Sequence, residues 1–160
     1  MTRTIDDALV KVLFRLERDP DGYPPVDVES VWAIRQPDGS YKIDNIPFYA
    51  RGAAVGDVVT AKEIDGELFV EALAQPSGNS LIRAIVHDEA EVSKLCAELK
   101  ALGCDVEVYG RLVAVDVPAA VSYTPICQLL EAGMNTDRLG FEEAVLCHKL
   151  SIDDTGEPPT

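Results

Sequence analysis

A chain of 160 residues with 47% hydrophobic, 6% aromatic and 26% charged residues is a globular protein with enough length to bury a core of its own. The net charge of -14 is spread over both halves, so neither half is a basic platform and direct binding to a phosphate backbone is disfavoured. No apolar run approaches the ~18 residues a membrane-spanning helix requires, and Met1 to Asp7 has no apolar signal region, so the expected location is the cytoplasm.

Residues 1–8 are polar and are expected to fray. From Leu9 the residues Val10, Val12, Phe14 and Leu16 alternate with Lys11, Arg15 and Glu17, the period of a half-buried strand. Asp19-Pro20-Asp21-Gly22-Tyr23-Pro24-Pro25 stops that strand as a stiff loop. A second strand through Val26, Val28, Val31, Trp32 and Ile34 turns at Pro37-Asp38-Gly39-Ser40 into Tyr41-Lys42-Ile43. Pro47 argues against a central strand in Asp44 to Tyr49, and Phe48 and Tyr49 are expected to close one end of a barrel. Val58 to Glu63 and Leu68 to Leu73 face each other across Asp65-Gly66, a strong hairpin signal. Five such strands over residues 9–75 predict a small antiparallel barrel of SH3-like or OB-like type. Phe14, Trp32, Phe48 and Phe69, at strand alternation, are expected in its core rather than lining its mouth.

Gln75 to Ser80 is a polar turn, after which the pattern changes. Leu81 to Val86 reads as an apolar strand interrupted by Arg83. Asp88 and Glu91 open a helix whose Val92, Leu95, Cys96, Leu99 and Leu102 share one face, and Gly103 closes it. Cys104 to Tyr109 and Arg111 to Val117 form a hairpin at Gly110. Thr124-Pro125 starts a second helix that runs to Gly133, and Glu142 to His148 is the last strand. Strand, helix, strand, strand, helix, strand over residues 80–149 predicts a ferredoxin-like half, so the fold class is α+β. Residues 150–160 form an acidic, proline-bearing tail expected to be disordered. The four cysteines, Cys96, Cys104, Cys127 and Cys147, form no Cys-x-x-Cys pair and are expected to be buried free thiols.

Gly22-Tyr23-Pro24-Pro25-Val26-x-Val28-Glu29-Ser30-x-Trp32-Ala33, Asn45-Ile46-Pro47-Phe48, Gly56-Asp57-Val58-Val59 and Pro76-Ser77-Gly78-x-Ser80-x-Ile82-Arg83 together make the chain resemble the uncharacterised bacterial family catalogued as domain of unknown function 4265. The resemblance spans about residues 10 to 147. It implies no activity, so no residue takes a role from it.

Ser77, Ser80, His87 and Asp88 include the residue types of a hydrolase triad. There is no Gly-x-Ser-x-Gly elbow, however, and Ser80 and His87 stand at opposite ends of one strand, roughly 20 Å apart at ~3.3 Å per residue. No catalytic residue is assigned. Arg83 in an apolar strand requires a carboxylate or a ligand anion, and Glu29 beside Trp32 is the expected partner, an ion pair joining the two halves. Arg83, Glu29, Trp32, Ser77 and Ser80 are therefore the candidates for a ligand site or ion pair. Asp19, Asp21, Asp27 and Glu29 lack the spacing of a calcium loop, and His87 and His148 have no Cys or His at zinc-ligand spacing, so no metal and no cofactor is expected. The leading expectation is a non-enzymatic, acidic, protein-binding module, an immunity-type or regulatory partner masking a basic surface on another protein. The alternatives are a sensor of anionic small molecules with a cleft between the two halves, and a small hydrolase or transferase using that cleft.

Overall fold

The computed structural model describes residues 9–148; the expected frayed start, 1–8, and acidic tail, 150–160, lie outside the described residues. The chain divides into two units between Ser77 and Gly78.

In the first unit β1 (Leu9–Arg15), β2 (Val28–Arg35), β3 (Tyr41–Ile43), β4 (Val58–Ile64) and β5 (Glu67–Gln75) close a barrel in that order. Sequential neighbours are antiparallel. An up-and-down run of five strands leaves the first and last pointing the same way, so the barrel closes through a parallel pair. That seam is short: Val12 lies opposite Leu68 and Leu13 opposite Phe69. The two-residue alternation sends Val12, Phe14, Val31, Ala33, Tyr41, Ile43 and Val59 inward, where Ala50 and Ala53 from the β3–β4 connection join them. Asp65 and Gly66 both hold positive φ, 52° and 83°, as a two-residue type I′ hairpin turn requires. Trp32 departs from the core position expected of it. Because Val31 and Ala33 face in, Trp32 between them faces out, 43% exposed, with Lys11 Nζ 5.0 Å from its ring centroid. Phe14 is buried, while Phe48 and Phe69 are half-buried.

The second unit runs β6 (Ser80–Val86), a 3₁₀ turn (Glu89–Glu91), α1 (Val92–Ala101), β7 (Asp105–Tyr109), β8 (Leu112–Val117), α2 (Thr124–Asn135) and β9 (Leu139–Val145). Its sheet has the order β7-β8-β6-β9, every pair antiparallel. Ile82, Ala84 and Val86 of β6 and Val113, Val115 and Val117 of β8 form one core with Val92, Leu95, Cys96 and Leu99 of α1 and Ile126, Cys127 and Leu130 of α2. Asp88 caps the 3₁₀ turn, accepting from the Ala90 amide at 3.0 Å, and α1 begins only at Val92. Gly103, at φ 101°, ends α1 as expected.

The end of α2 differs from the sequence reading. Gly133 is inside the helix, and a Cβ there would lie 2.6 Å from Leu139 Cδ2, so the glycine serves close helix–strand packing rather than a stop. The stop is a Schellman motif built on Asp137, whose φ is 58°. The Asp137 amide bonds Met134 O at 3.1 Å and the Arg138 amide bonds Gly133 O at 2.8 Å. The last strand consequently starts at Leu139, earlier than Glu142, and ends at Val145. Cys147 lies beyond it and is exposed, whereas Cys96, Cys104 and Cys127 are buried.

Candidate functional site

The candidate residues of the barrel are held by backbone groups of its long connections. The Glu29 carboxylate accepts from three successive amides: Phe48 at 2.6 Å on Oε2, Tyr49 at 2.9 Å and Ala50 at 2.7 Å on Oε1. Asn45 Oδ1 accepts from the Trp32 amide at 2.6 Å, and the Asp44 amide returns a bond to Trp32 O at 2.8 Å. Asp57, 2% exposed, accepts from the Ala54 amide and from the Ser77 amide, each at 2.9 Å. The Ser77 hydroxyl donates to Val55 O at 2.7 Å. Gly56, at φ 84°, admits this arrangement because a Cβ would meet Ser77 Cβ at 2.9 Å. A carboxylate bonded to several amides is one of the stronger neutral–ion arrangements in proteins, so Glu29 and Asp57 fix the path of residues 44–57.

The acidic cluster of this unit is dispersed into local contacts. Asp19 Oδ1 accepts from the Asp21 amide at 2.9 Å and the Tyr23 amide at 3.0 Å, and Asp27 pairs with Arg18 Nε at 2.9 Å. Among the described residues no group of three or more His, Cys, Asp or Glu side chains could hold a metal ion.

In the second unit Ser80, fully buried at the start of β6, is paired with His148 rather than His87. His148 Nε2 is 2.8 Å from Pro118 O, a group that only accepts, so Nε2 carries the ring proton. Nδ1 is then the acceptor for the Ser80 hydroxyl at 2.5 Å. Ser80 Oγ in turn accepts from the amides of Cys147 at 2.9 Å and His148 at 3.2 Å. With its proton given and its lone pairs taken, this hydroxyl anchors the segment after β9 and is closed to an electrophile. His87 belongs to the other end of β6, where Nδ1 lies 2.8 Å from Asp137 O.

Beside Ser80, Asp116 is 3% exposed and receives Asn79 Nδ2 at 3.1 Å, while Asn79 Oδ1 accepts from the Ala119 amide at 3.0 Å. Burial pushes the Asp116 carboxyl up to about 6, and Asp105, its cross-strand partner, adds to the rise. The Asn79 hydrogen bond opposes it. Arg83 is 6% exposed, with Nη1 3.7 Å from Oε1 of Glu142, its cross-strand partner on β9. Glu29, the partner expected from the sequence, accepts from the amides of residues 48–50. The Tyr123 hydroxyl donates to Glu143 at 2.5 Å, and burial followed by that contact raises its pKa well above the usual phenol range. Burial first, then Glu131 at 3.1 Å, pushes the Cys127 thiol up to about 11.

No nucleophile activated by a base emerges among these groups. Sequence reasoning missed the Ser80–His148 pair, whose only advance signal was a histidine at the far end of the chain from a strand-initial serine. It also missed Asp57, although Gly56-Asp57 stood out as a motif.

No curated protein compared with the chain matches it. A solved structure described as "Novel crystal structure of a hypothetical protein from Neisseria gonorrhoeae" is similar with a TM-score of 0.74 at 24% identity, over 85% of this chain and 94% of that one. At that identity the likeness carries the mixed α+β fold, a closed five-stranded barrel and a second sheet with two helices. Residues 29–140, which hold Glu29, Asn45, Asp57, Ser77, Ser80 and Arg83, match the family described as Domain of unknown function (DUF4265), and the chain belongs to that family.

Proposed function

We propose that this chain is a non-enzymatic, acidic, protein-binding module of the cytoplasm, an immunity-type or regulatory partner that covers a basic surface on another protein. The supporting observation is where its charges go. Lys11, Arg15 and Arg35 lie over the rings of Trp32, Phe69 and Tyr41, and Arg18 and Arg83 face Asp27 and Glu142. Five of the 14 Lys and Arg thus have a local partner, and all 14 stand against 28 Asp and Glu. Of those acids, Asp57 and Asp116 are buried, while Glu63, Asp65, Glu67 and Glu71 are exposed on the β4–β5 hairpin. An exposed field of one sign steers a partner of the opposite sign. Three buried free thiols fit a reducing compartment.

The finer fold reading follows the same elements. The uninterrupted order of the barrel strands favours the SH3-like over the Greek-key OB-like alternative, and the order β7-β8-β6-β9 supports a ferredoxin-like second unit. The function is tested by affinity capture of a partner from about 0.1 M to about 1 M salt, over which the screening length falls from ~10 to ~3 Å. A basic partner that is released at high salt, and lost when Glu63, Asp65, Glu67 and Glu71 are changed to their amides, is the expected result. A partner held equally by that neutralised hairpin and at both salts refutes electrostatic recognition through this surface.

A further inference from the structure

Where the end of β6, α1, the end of α2 and the start of β9 converge, the second unit carries a pocket of about 150 Å³. Its floor is aliphatic: Val86, Leu95 and Leu139 are buried and Leu129 is half-buried. An apolar cavity of that volume takes up a benzene-sized molecule, so one apolar side chain fills it. The rim carries charges of both signs, with Glu91, Lys94 and Glu98 on the α1 side and Arg138 on the β9 side. We infer that this pocket binds a free α-amino acid with an apolar side chain of about leucine size.

The rim charges balance in number and are separated in space, which suits a zwitterion rather than an ion of either sign. Glu91, Lys94, Leu95 and Glu98 stand at i, i+3, i+4 and i+7 along one stripe of the helix, so Lys94 is spaced to offset one of the two carboxylates. One negative charge then remains on the α1 side. None of these three side chains forms an ion pair among the described residues, where the pairs are Arg18–Asp27, Arg83–Glu142 and His87–Asp137. Glu91 and Glu98 are half-buried, a setting in which a carboxylate gains from a positive partner. On the β9 side Arg138 is anchored at its base: Nε donates to Thr136 Oγ1 at 2.9 Å, and that hydroxyl donates to Ala132 O at 2.8 Å. The contact orders the guanidinium and leaves its two Nη groups to meet a carboxylate in the bidentate geometry that suits it. An amino acid with its ammonium toward Glu91 and Glu98, its carboxylate toward Arg138 and its side chain on the aliphatic floor uses all three features. Its zero net charge also escapes the repulsion that a chain of net charge -14 exerts on anions. The site draws every lining residue from the second unit and is independent of the acidic hairpin in the first.

The test titrates the full chain with L-leucine at constant ionic strength, following backbone amide shifts by NMR. Three probes that each lack one feature run beside it: 4-methylpentanoate without the ammonium, 3-methylbutylamine without the carboxylate, and glycine without the side chain. Saturable shifts centred on residues 86–98 and 129–139, with L-leucine binding tighter than all three, are expected. Arg138→Gln should weaken L-leucine by about tenfold, the value of one charge-assisted contact, without weakening 3-methylbutylamine. The double change Glu91→Gln and Glu98→Gln should weaken L-leucine by a similar factor without weakening 4-methylpentanoate. Both sets of substitutions lie on the rim, so the dispersed spectrum of the folded chain should stay in place. Absence of saturable shifts with L-leucine overturns the inference, as does binding that both sets of substitutions leave unchanged. Equal binding of 4-methylpentanoate or 3-methylbutylamine overturns the assignment to a zwitterion, and equal binding of glycine overturns the role of the aliphatic floor.

Discussion

The two units solve the problem of holding a fold together by different means. Nine buried residues make the barrel cluster and sixteen make the helix–sheet cluster among the described residues, and the difference in apolar mass is matched by a difference in polar chemistry. In the barrel, Glu29, Asp57 and Ser77 bond backbone groups of the long β3–β4 connection, which no strand ladder reaches, and Asn45 of that connection takes the Trp32 amide of β2. In the second unit a polar network of Ser80, His148, Asn79 and Asp116 gathers at the Ser80 end of β6, beside a larger apolar core. A small core with long connections leaves amides that only side chains can satisfy, so the barrel depends on hydrogen bonds where its neighbour depends on volume.

Two probes separate the units. Trp32 is the only tryptophan and lies in the barrel, while both α-helices of the described residues lie in the second unit. The largest expected effect is Leu99→Ala, a fully buried leucine of α1, which should cost about 3 kcal/mol and lower the urea midpoint followed by helical circular dichroism. Next, Glu29→Gln strips the charge from an acceptor of three amides and should cost about 2 kcal/mol in the transition followed by Trp32 fluorescence. If Leu99→Ala moved the tryptophan transition as far as the circular dichroism, the contrast between the units would be lost.

A smaller effect has the opposite sign. Asp116 binds its proton more tightly in the folded state, at about 6 against an ordinary 3.8, so native stability is relatively high below pH 4 and is lost as pH rises through 6. Asp116→Asn, neutral throughout, should therefore be the more stable form by about 1–2 kcal/mol at pH 8 and show no gain at pH 4, measured by denaturant melts at the two pH values. A gain that did not change between those pH values would remove the buried carboxylate from the account. The smallest perturbation is chemical. Cys147 is exposed, while burial raises the thiols of Cys96, Cys104 and Cys127, the last two to about 11. A disulfide reagent at pH 8 should modify one thiol of the native chain quickly and the other three only in denaturant.

Much of the fold could be read directly from residue patterns, because alternation and the turn chemistry of Asp65-Gly66 and Gly103 are local signals. The end of α2 could not be read that way. Gly133 carries the residue type of a stop, but its reason is the Leu139 side chain across the packing, and the true stop uses Asp137, a residue seldom placed there. The site was less legible than the fold. Glu29, Ser77, Ser80 and Arg83 were identifiable as unusual, yet their partners lie 19 to 68 positions away. Arg83 meets Glu142 only through the β6–β9 register, and a bulge between Leu81 and Ile82 shifts that register in a way no periodicity announces.

The parallel seam of the barrel has a kinetic consequence. Val12 and Leu13 meet Leu68 and Phe69 across more than fifty residues, whereas β4 and β5 meet across a two-residue turn. Closing the long loop carries an entropic cost that the short hairpin avoids, so the β4–β5 ribbon is expected early in folding and the seam last. Substitutions at Leu13 should then chiefly accelerate unfolding, and those within the hairpin should chiefly slow folding. The barrel would thus assemble as a strip that is stapled shut, with its final step in the hands of two residue pairs.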